Sequence, residues 1–284
     1  MKRFFVFLLC ASLMTVFSAC SKEEASSVNL SSQMQPSNIA SVSSKQESSS
    51  TVSVSSQEVP SQMVNVLKGK TVLFCGDSIC YGEWDTVKGY AWAGRIAKRC
   101  DLEEADNQAL GGYCFSTTRG DQWRILHQLE KVQQNTYDYV ILQGGVNDAA
   151  GHPGGPVYAQ VGTMSDSFDV EDFDRNTFAG GFEETIYYAK QYFPNAKFGF
   201  IISFYMPNAS KEWNQVSDMK EYWEVAKQIC DKWEIPYLDL YFDDYISNTV
   251  MQVTTNICLR DPVHPNATGY ERLTPFIANW MQTL

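Results

Sequence analysis

The chain has 284 residues, 44% of them hydrophobic, and a formal net charge of −11. That length supports one sizeable core and does not require a second domain. The acidic balance argues against nucleic acid or phosphate-rich partners as the main ligands, and against electrostatic docking onto an anionic membrane.

The first residues are set apart. Lys2 and Arg3 precede a nearly all-apolar run from Phe4 to Val16, and Phe17-Ser18-Ala19-Cys20 closes it with small residues before a cysteine. This pattern predicts a secretory signal over residues 1–19 rather than a spanning helix, because the apolar run is short. Its end also resembles a bacterial lipoprotein signal, which implies that Cys20 becomes a lipidated first residue. The other reading is an ordinary signal peptide with Cys20 as a bystander. From 20 to 67 serine dominates, and after Cys20 there is neither an aromatic residue nor a glycine. Such a segment cannot bury enough apolar surface to fold. As a flexible coil of roughly 40 residues it would span about 35 Å. The expectation is a tether holding a folded domain off a membrane surface, the membrane being engaged by the lipid anchor alone.

At Lys68 the composition becomes globular. Residues 68–284 hold 18 Lys and Arg against 29 Asp and Glu, so the whole net charge belongs to the folded part. Six cysteines fall there: Cys75, Cys80, Cys100, Cys114, Cys230 and Cys258. Export would permit disulfides, but six cysteines allow 15 pairings and sequence does not choose among them. No C-x-x-C pair occurs, and three scattered histidines give no clustered ligand set, so no metal or other cofactor is expected.

Residues 71–75 read as a buried strand, and 90–98 as a helix with Trp92, Ile96 and Ala97 on its inner face. A short strand near 104–107 leads into a glycine pair. Residues 122–133 have Ile125, Leu126, Leu129 and Val132 at helical spacing. A strand over 138–142 follows. Residues 151–174 fit no element, and a loop of that length directly after Asn147 is read as one wall of a substrate site. Then come a helix over 178–192, a strand over 197–203, a helix over 216–233, a strand over 237–240 and a closing helix over 267–281. Strands alternating with helices predict an α/β fold: a three-layer α/β/α sandwich with a mostly parallel, about five-stranded sheet in flavodoxin-like order.

Four stretches carry chemistry. Gly76-Asp77-Ser78 ends the first strand, where ligands bind in open α/β sheets. The others are Asn107-Gln108-Ala109-Leu110-Gly111-Gly112, Gly144-Gly145-Val146-Asn147-Asp148 and Asp261-Pro262-Val263-His264-Pro265. Singly, each reads as an ordinary polar turn. Together and in this order they resemble the blocks of the SGNH (GDSL-type) hydrolases over nearly all of residues 70–284, and that resemblance implies the same sandwich and hydrolysis of a carboxylic ester through an acyl-enzyme. There is no G-x-S-x-G around Ser78, and neither a G-x-G-x-x-G nor a Walker A motif elsewhere.

Ser78 is expected to be the nucleophile, which needs a base. His127 lies mid-helix beside Leu126 and Leu129 and reads as structural; His152 sits in the loop beside Pro153. His264 stands between two prolines that hold it and Asp261 extended, so this stiff segment can present an imidazole and an orienting carboxylate together. Three donors are expected to face the oxyanion: the N–H of Ser78, the N–H of Gly112 (with Gly111 as fallback) and the amide of Asn147. Gly112 is chosen because it stands five residues after Asn107, as the family pattern asks. Asp77 and Asp148 are assigned to structural hydrogen bonding.

The expected substrate is a small acyl ester or acylated carbohydrate, and the expected protein an exported, membrane-tethered esterase that removes small acyl groups, acetyl above all. Tyr81, Trp84, Trp92, Tyr113 and Trp123 lie near the blocks, where rings can stack on sugars. A lipase or lysophospholipase, a non-catalytic binding lipoprotein on the same fold, and acyl transfer to a sugar stay open as alternatives, and the oligomeric state is not fixed.

Overall fold

The computed structural model describes residues 64–151, 157–207, 219–255 and 257–284. The expected signal segment, the lipid-attachment residue Cys20 and the linker up to 63 lie outside the described residues, as do His152 and the start of the predicted 216–233 helix.

Five strands form one sheet in the order β2-β1-β3-β4-β5, and every neighbouring pair is parallel. They are β1 (Thr71–Cys75), β2 (Glu104–Asn107), β3 (Tyr139–Gln143), β4 (Lys197–Ile202) and β5 (Tyr237–Asp239). β3 is buried along its whole length and β1 from Val72 onward. Their unbroken apolar runs suit central strands covered on both faces. β2 and β5 are edges and only half-buried. In the register, Phe74 lies between Asn107 of β2 and Ile141 of β3.

Among the described residues six helices cover the sheet: α1 (Ser78–Tyr81), α2 (Ala91–Cys100), α3 (Leu126–Lys131), α4 (Phe178–Tyr192), α5 (Lys220–Lys232) and α6 (Ala267–Met281). α2 packs on α6, while α3, α4 and α5 pack in succession, giving the two outer layers of the sandwich. Thr177 caps α4 by accepting from the N–H of Gly180, and Asn266 caps α6 by accepting from that of Gly269. Phe115, Phe182 and Phe200 join ring to ring at centroid distances of 4.6 Å, with Phe178 stacked on Phe182. The Phe178 and Trp223 rings lie directly beneath Gly145, so this aromatic core sets the height of the turn that follows β3.

Three elements depart from the sequence expectation. The helix over 122–133 is broken: a 3₁₀ turn (Asp121–Trp123) is followed by extended Arg124 (φ −91°, ψ 137°) before α3 begins. Cys114 is the reason. Its N–H donates to the Trp123 carbonyl and its carbonyl accepts from Ile125, both at 2.8 Å. The extended residue also sends the Arg124 side chain inward, where Nε donates to the Phe115 carbonyl and the guanidinium pairs with buried Glu184. The long 151–174 loop contains a short 3₁₀ turn (Val170–Asp172). Close packing also starts before the composition changes at Lys68: Leu67 is fully buried, and Asn65 bonds the Cys100 carbonyl and Gln282. All six cysteines of the described residues are free thiols and buried, so none of the 15 possible pairings is made.

Candidate active site

Ser78 opens α1 at the carboxyl end of β1, the strand from which the chain turns first to β2 and later to β3. In open α/β sheets a crevice forms at such a reversal of strand order. Gly76 is required there by close approach: a Cβ would stand 2.4 Å from the Gln143 carbonyl oxygen. Gln128 of α3 holds Gly76 by both backbone groups, its Oε1 accepting from the N–H and its Nε2 donating to the C=O, each at 2.8 Å. Asp77 caps α1 by accepting from Ile79 N–H at 2.8 Å. Gln143 joins this frame, accepting from Cys80 N–H and donating to Asp77 and to Ser203 Oγ. Burial, opposed by these bonds, pushes the Asp77 carboxyl up to about 6.

His264 reaches Ser78 from the other end of the sequence. Its Nε2 lies 2.8 Å from Ser78 Oγ, and its Nδ1 lies 2.8 Å from Asp261 Oδ2. Asp261 Oδ1 also accepts from the N–H groups of Val263 and His264, at 2.9 and 2.8 Å. An antiparallel bridge between Leu259 and Pro265 closes this segment on itself. Asp261 is half-buried. Burial works against its charge, but the bonds from His264 and the two backbone groups outweigh it and hold the carboxyl below its usual range. A hydroxyl, an imidazole and a carboxylate thus stand in one hydrogen-bonded row, an arrangement through which a serine proton can pass to a histidine.

The glycine pair and Asn147 border the same place. A side chain on Gly111 would face Ser78 Cβ at 3.7 Å and Glu83 Oε2 at 3.4 Å; that carboxylate is paired with Lys88 at 2.6 Å. Gly112 has φ +82°, and its Cα is covered by the guanidinium of Arg119. The N–H groups of Ser78 and Gly112 make no hydrogen bond among the described residues. Asn147 donates from Nδ2 to the Tyr113 carbonyl at 3.0 Å, which leaves the second proton of its amide. Asp148, fully buried, accepts from Phe115 and Ser116 N–H at 3.1 and 2.9 Å and so ties the turn after β3 to the chain beyond Gly112. Burial raises its carboxyl above the usual value despite those bonds. Asn107 is itself a brace: Nδ2 donates to the carbonyls of Cys80 and Gly89.

The remaining candidates are not drawn in. His127 pairs with Glu130 and Asp121 on the surface. Burial, the first influence on His127, lowers its pKa, but the two carboxylates overcome it and the net shift is upward. Trp92 is buried against Tyr270 and belongs to the core, whereas Trp84 and Trp123 keep 44% and 38% exposure. Three residues of the site were not singled out from sequence: Gln128, Gln143 and Arg119. A polar residue inside an apolar pattern, as Gln128 is in α3, was the available signal. Among the described residues, no group of three His, Cys, Asp or Glu side chains converges as a metal site.

Comparison with known proteins agrees with this architecture. No curated protein matches the chain. Among solved structures it is similar to a protein from Lactobacillus plantarum, at 21% identity and a TM-score of 0.59, covering 76% of this chain and 96% of that one. It is also similar to the lipase/acylhydrolase from Enterococcus faecalis (18%, TM-score 0.51, 75% and 96% covered) and to a member of the lipolytic protein G-D-S-L family from Veillonella parvula (14%, TM-score 0.52, 75% and 99%). At such identities these likenesses speak for the fold alone. The model of the GDSL-like lipase/acylhydrolase family matches residues 74–272, a span that includes Ser78, Gly112, Asn147, Asp261 and His264. The chain belongs to the GDSL-like lipase/acylhydrolase family.

Proposed function

We propose that the protein is a serine esterase that hydrolyses carboxylic esters through an acyl-enzyme, with Ser78 as nucleophile, His264 as general base and acid, and Asp261 as its orienting carboxylate. The observation that carries this reading is the row Ser78 Oγ, His264 Nε2 and Nδ1, Asp261 Oδ2, each link 2.8 Å. Ser78 Oγ attacks the ester carbonyl as its proton moves to His264 Nε2. Asp261 holds the ring in the tautomer that leaves Nε2 able to accept, and stabilises the imidazolium. The tetrahedral oxyanion is met by the N–H groups of Ser78 and Gly112 and by the free proton of the Asn147 amide. His264 then protonates the leaving alcohol, and water, activated by the same ring, releases the acid. Incubation with a fluorophosphonate probe tests the nucleophile: wild type is labelled and Ser78→Ala is not. Turnover should fall by about 10⁴–10⁶ in that variant. Labelling of Ser78→Ala to wild-type extent would remove Ser78 from the role.

The favoured substrate is an acylated carbohydrate, from which small acyl groups such as acetyl are removed. Trp84 and Trp123 are partly exposed aromatic rings beside the site, and polar Glu83, Arg119 and Asn147 rather than an apolar wall surround Gly111 and Gly112. A series of 4-nitrophenyl esters from acetate to palmitate separates this from a long-chain lipase: activity should be highest at acetate and fall with length. Residues 1–67 fit export with lipid attachment at Cys20 and a serine-rich tether. Metabolic labelling with a radioactive fatty acid should mark the wild-type protein and not Cys20→Ala; equal labelling would reject the anchor.

A further inference from the structure

Two arginines stand at the site of a protein whose net charge is −11. Arg119 Nη1 donates to the Gly112 carbonyl at 2.6 Å and lies 3.5 Å from Asn147 Oδ1. Its guanidinium sits over the rings of Trp123 and Tyr158, with centroids at 5.3 and 5.2 Å. It is therefore fixed between two aromatic faces, against two of the three residues given to the oxyanion, Gly112 and Asn147. Arg260 precedes Asp261 and lies over exposed Trp84 at 5.6 Å, and its N–H is bonded to the His264 carbonyl. Neither arginine takes part in an ion pair of the described residues, although Lys68, Lys70, Lys88, Arg95, Arg124, Lys227 and Lys232 do. Glu83, the carboxylate beside Gly111, is held by Lys88.

A guanidinium only half-buried, immobilised by ring faces and without a carboxylate partner, is prepared for a planar anion. We propose that the ester substrate is an acidic sugar, and that Arg119 receives its carboxylate while Arg260 adds attraction from the His264 side. This rests on the serine-esterase reading. Because the acyl group in that reading is small and uncharged, the carboxylate belongs to the alcohol half. A single planar fork between ring faces fits a flat carboxylate; phosphate sites gather several donors around a tetrahedron. Trp123 and Tyr158 then serve twice, aligning the guanidinium and offering their edges to the sugar ring.

The test compares two probes on the full-length protein: the methyl glycoside of an O-acetylated hexuronic acid and its neutral methyl ester. Wild type should favour the acid by about tenfold or more in kcat/KM, the range expected for a charge-assisted pair. Added salt should raise KM for the acid and leave the neutral ester little affected. In Arg119→Gln the ratio of acid to ester should fall towards unity, whatever the change in absolute rate, and Arg119→Lys should recover it in part. Equal use of the two probes by wild type would overturn the inference, as would an unchanged ratio in Arg119→Gln; in the latter case Arg119 would only brace Gly112 and Asn147. If Arg119→Gln fails to fold, inhibition of wild type by the deacetylated uronate and its methyl ester decides: the acid must bind more tightly. Fluorophosphonate labelling separates the two levels. Wild type that labels but ignores the carboxylate overturns this inference alone, whereas wild type that neither labels nor cleaves either probe overturns the esterase reading with it.

Discussion

The carboxylates around Ser78 differ in kind. Asp261 faces a donor-rich segment, and its depressed pKa contributes stability that is present above the unfolded carboxylate value and lost as pH falls through the folded one. Asp77 behaves in the opposite sense. Its carboxyl titrates near 6 in the fold and at 3.8 when freely hydrated, so between those values the native protein holds a proton that the unfolded chain has released. Stability therefore falls as pH rises from about 4 to about 6, by an amount on the order of 3 kcal/mol. Asp77→Asn should flatten that part of the curve of thermal midpoint against pH, followed by circular dichroism. A curve parallel to wild type would mean that Asp77 titrates normally. If the proposed esterase mechanism holds, Asp261→Asn should lower kcat by about 10⁴ because the wrong tautomer of His264 is favoured, with little change in KM. Steady-state kinetics on an acetyl ester reads this directly.

At the scale of elements, the site depends on the break at Arg124 that precedes α3. The extended Arg124 lets Cys114 bridge to the segment and turns a charged side chain inward to Glu184. Gln128, one turn further on, then grips Gly76. Replacing Gln128 by Leu leaves the Gly76 N–H without a partner, while the Gly76 carbonyl still accepts from Leu110. The expected loss is about 1–3 kcal/mol, seen as a drop in thermal midpoint of about 2–4 °C per kcal/mol, together with slower turnover. A midpoint equal to wild type would show that water replaces the amide without penalty. Arg124→Ala leaves buried Glu184 with only the longer contact to Arg175 at 3.9 Å and should cost about 3 kcal/mol. The double variant Arg124→Met with Glu184→Leu should unfold at a higher denaturant concentration than Arg124→Ala, since neither charge is then left alone.

Across the whole molecule, the six described thiols do not act as staples. Burial is the first cause raising the pKa of each, so little thiolate forms near neutrality. A chromogenic thiol reagent should react with no more than Cys10 and Cys20 in the native full-length chain, and with six more when denaturant is added. Reductant should leave the thermal midpoint unchanged. A drop on reduction would mean that a disulfide forms in solution. Stability comes instead from the sheet and from the aromatic layer of Phe115, Phe178, Phe182, Phe200 and Trp223 against it.

Residue order alone determined the alternation of strands and helices, and with it the parallel sheet, because the buried runs of β1 and β3 admit few other packings. It also picked out Ser78, Asp261 and His264 as candidates, through four blocks in order rather than through any one of them, and the fold brings these three side chains within hydrogen-bonding distance. The break at Arg124 before α3, the hold of Gln128 on Gly76 and the seat of Arg119 were not legible in that way. Each depends on a partner distant in sequence, Cys114 for Arg124, Gly76 for Gln128 and Tyr158 for Arg119, and helical periodicity or charge at a single position says nothing of such partners. Tertiary packing made those choices, because a buried backbone group or guanidinium takes the partner that the fold brings to it.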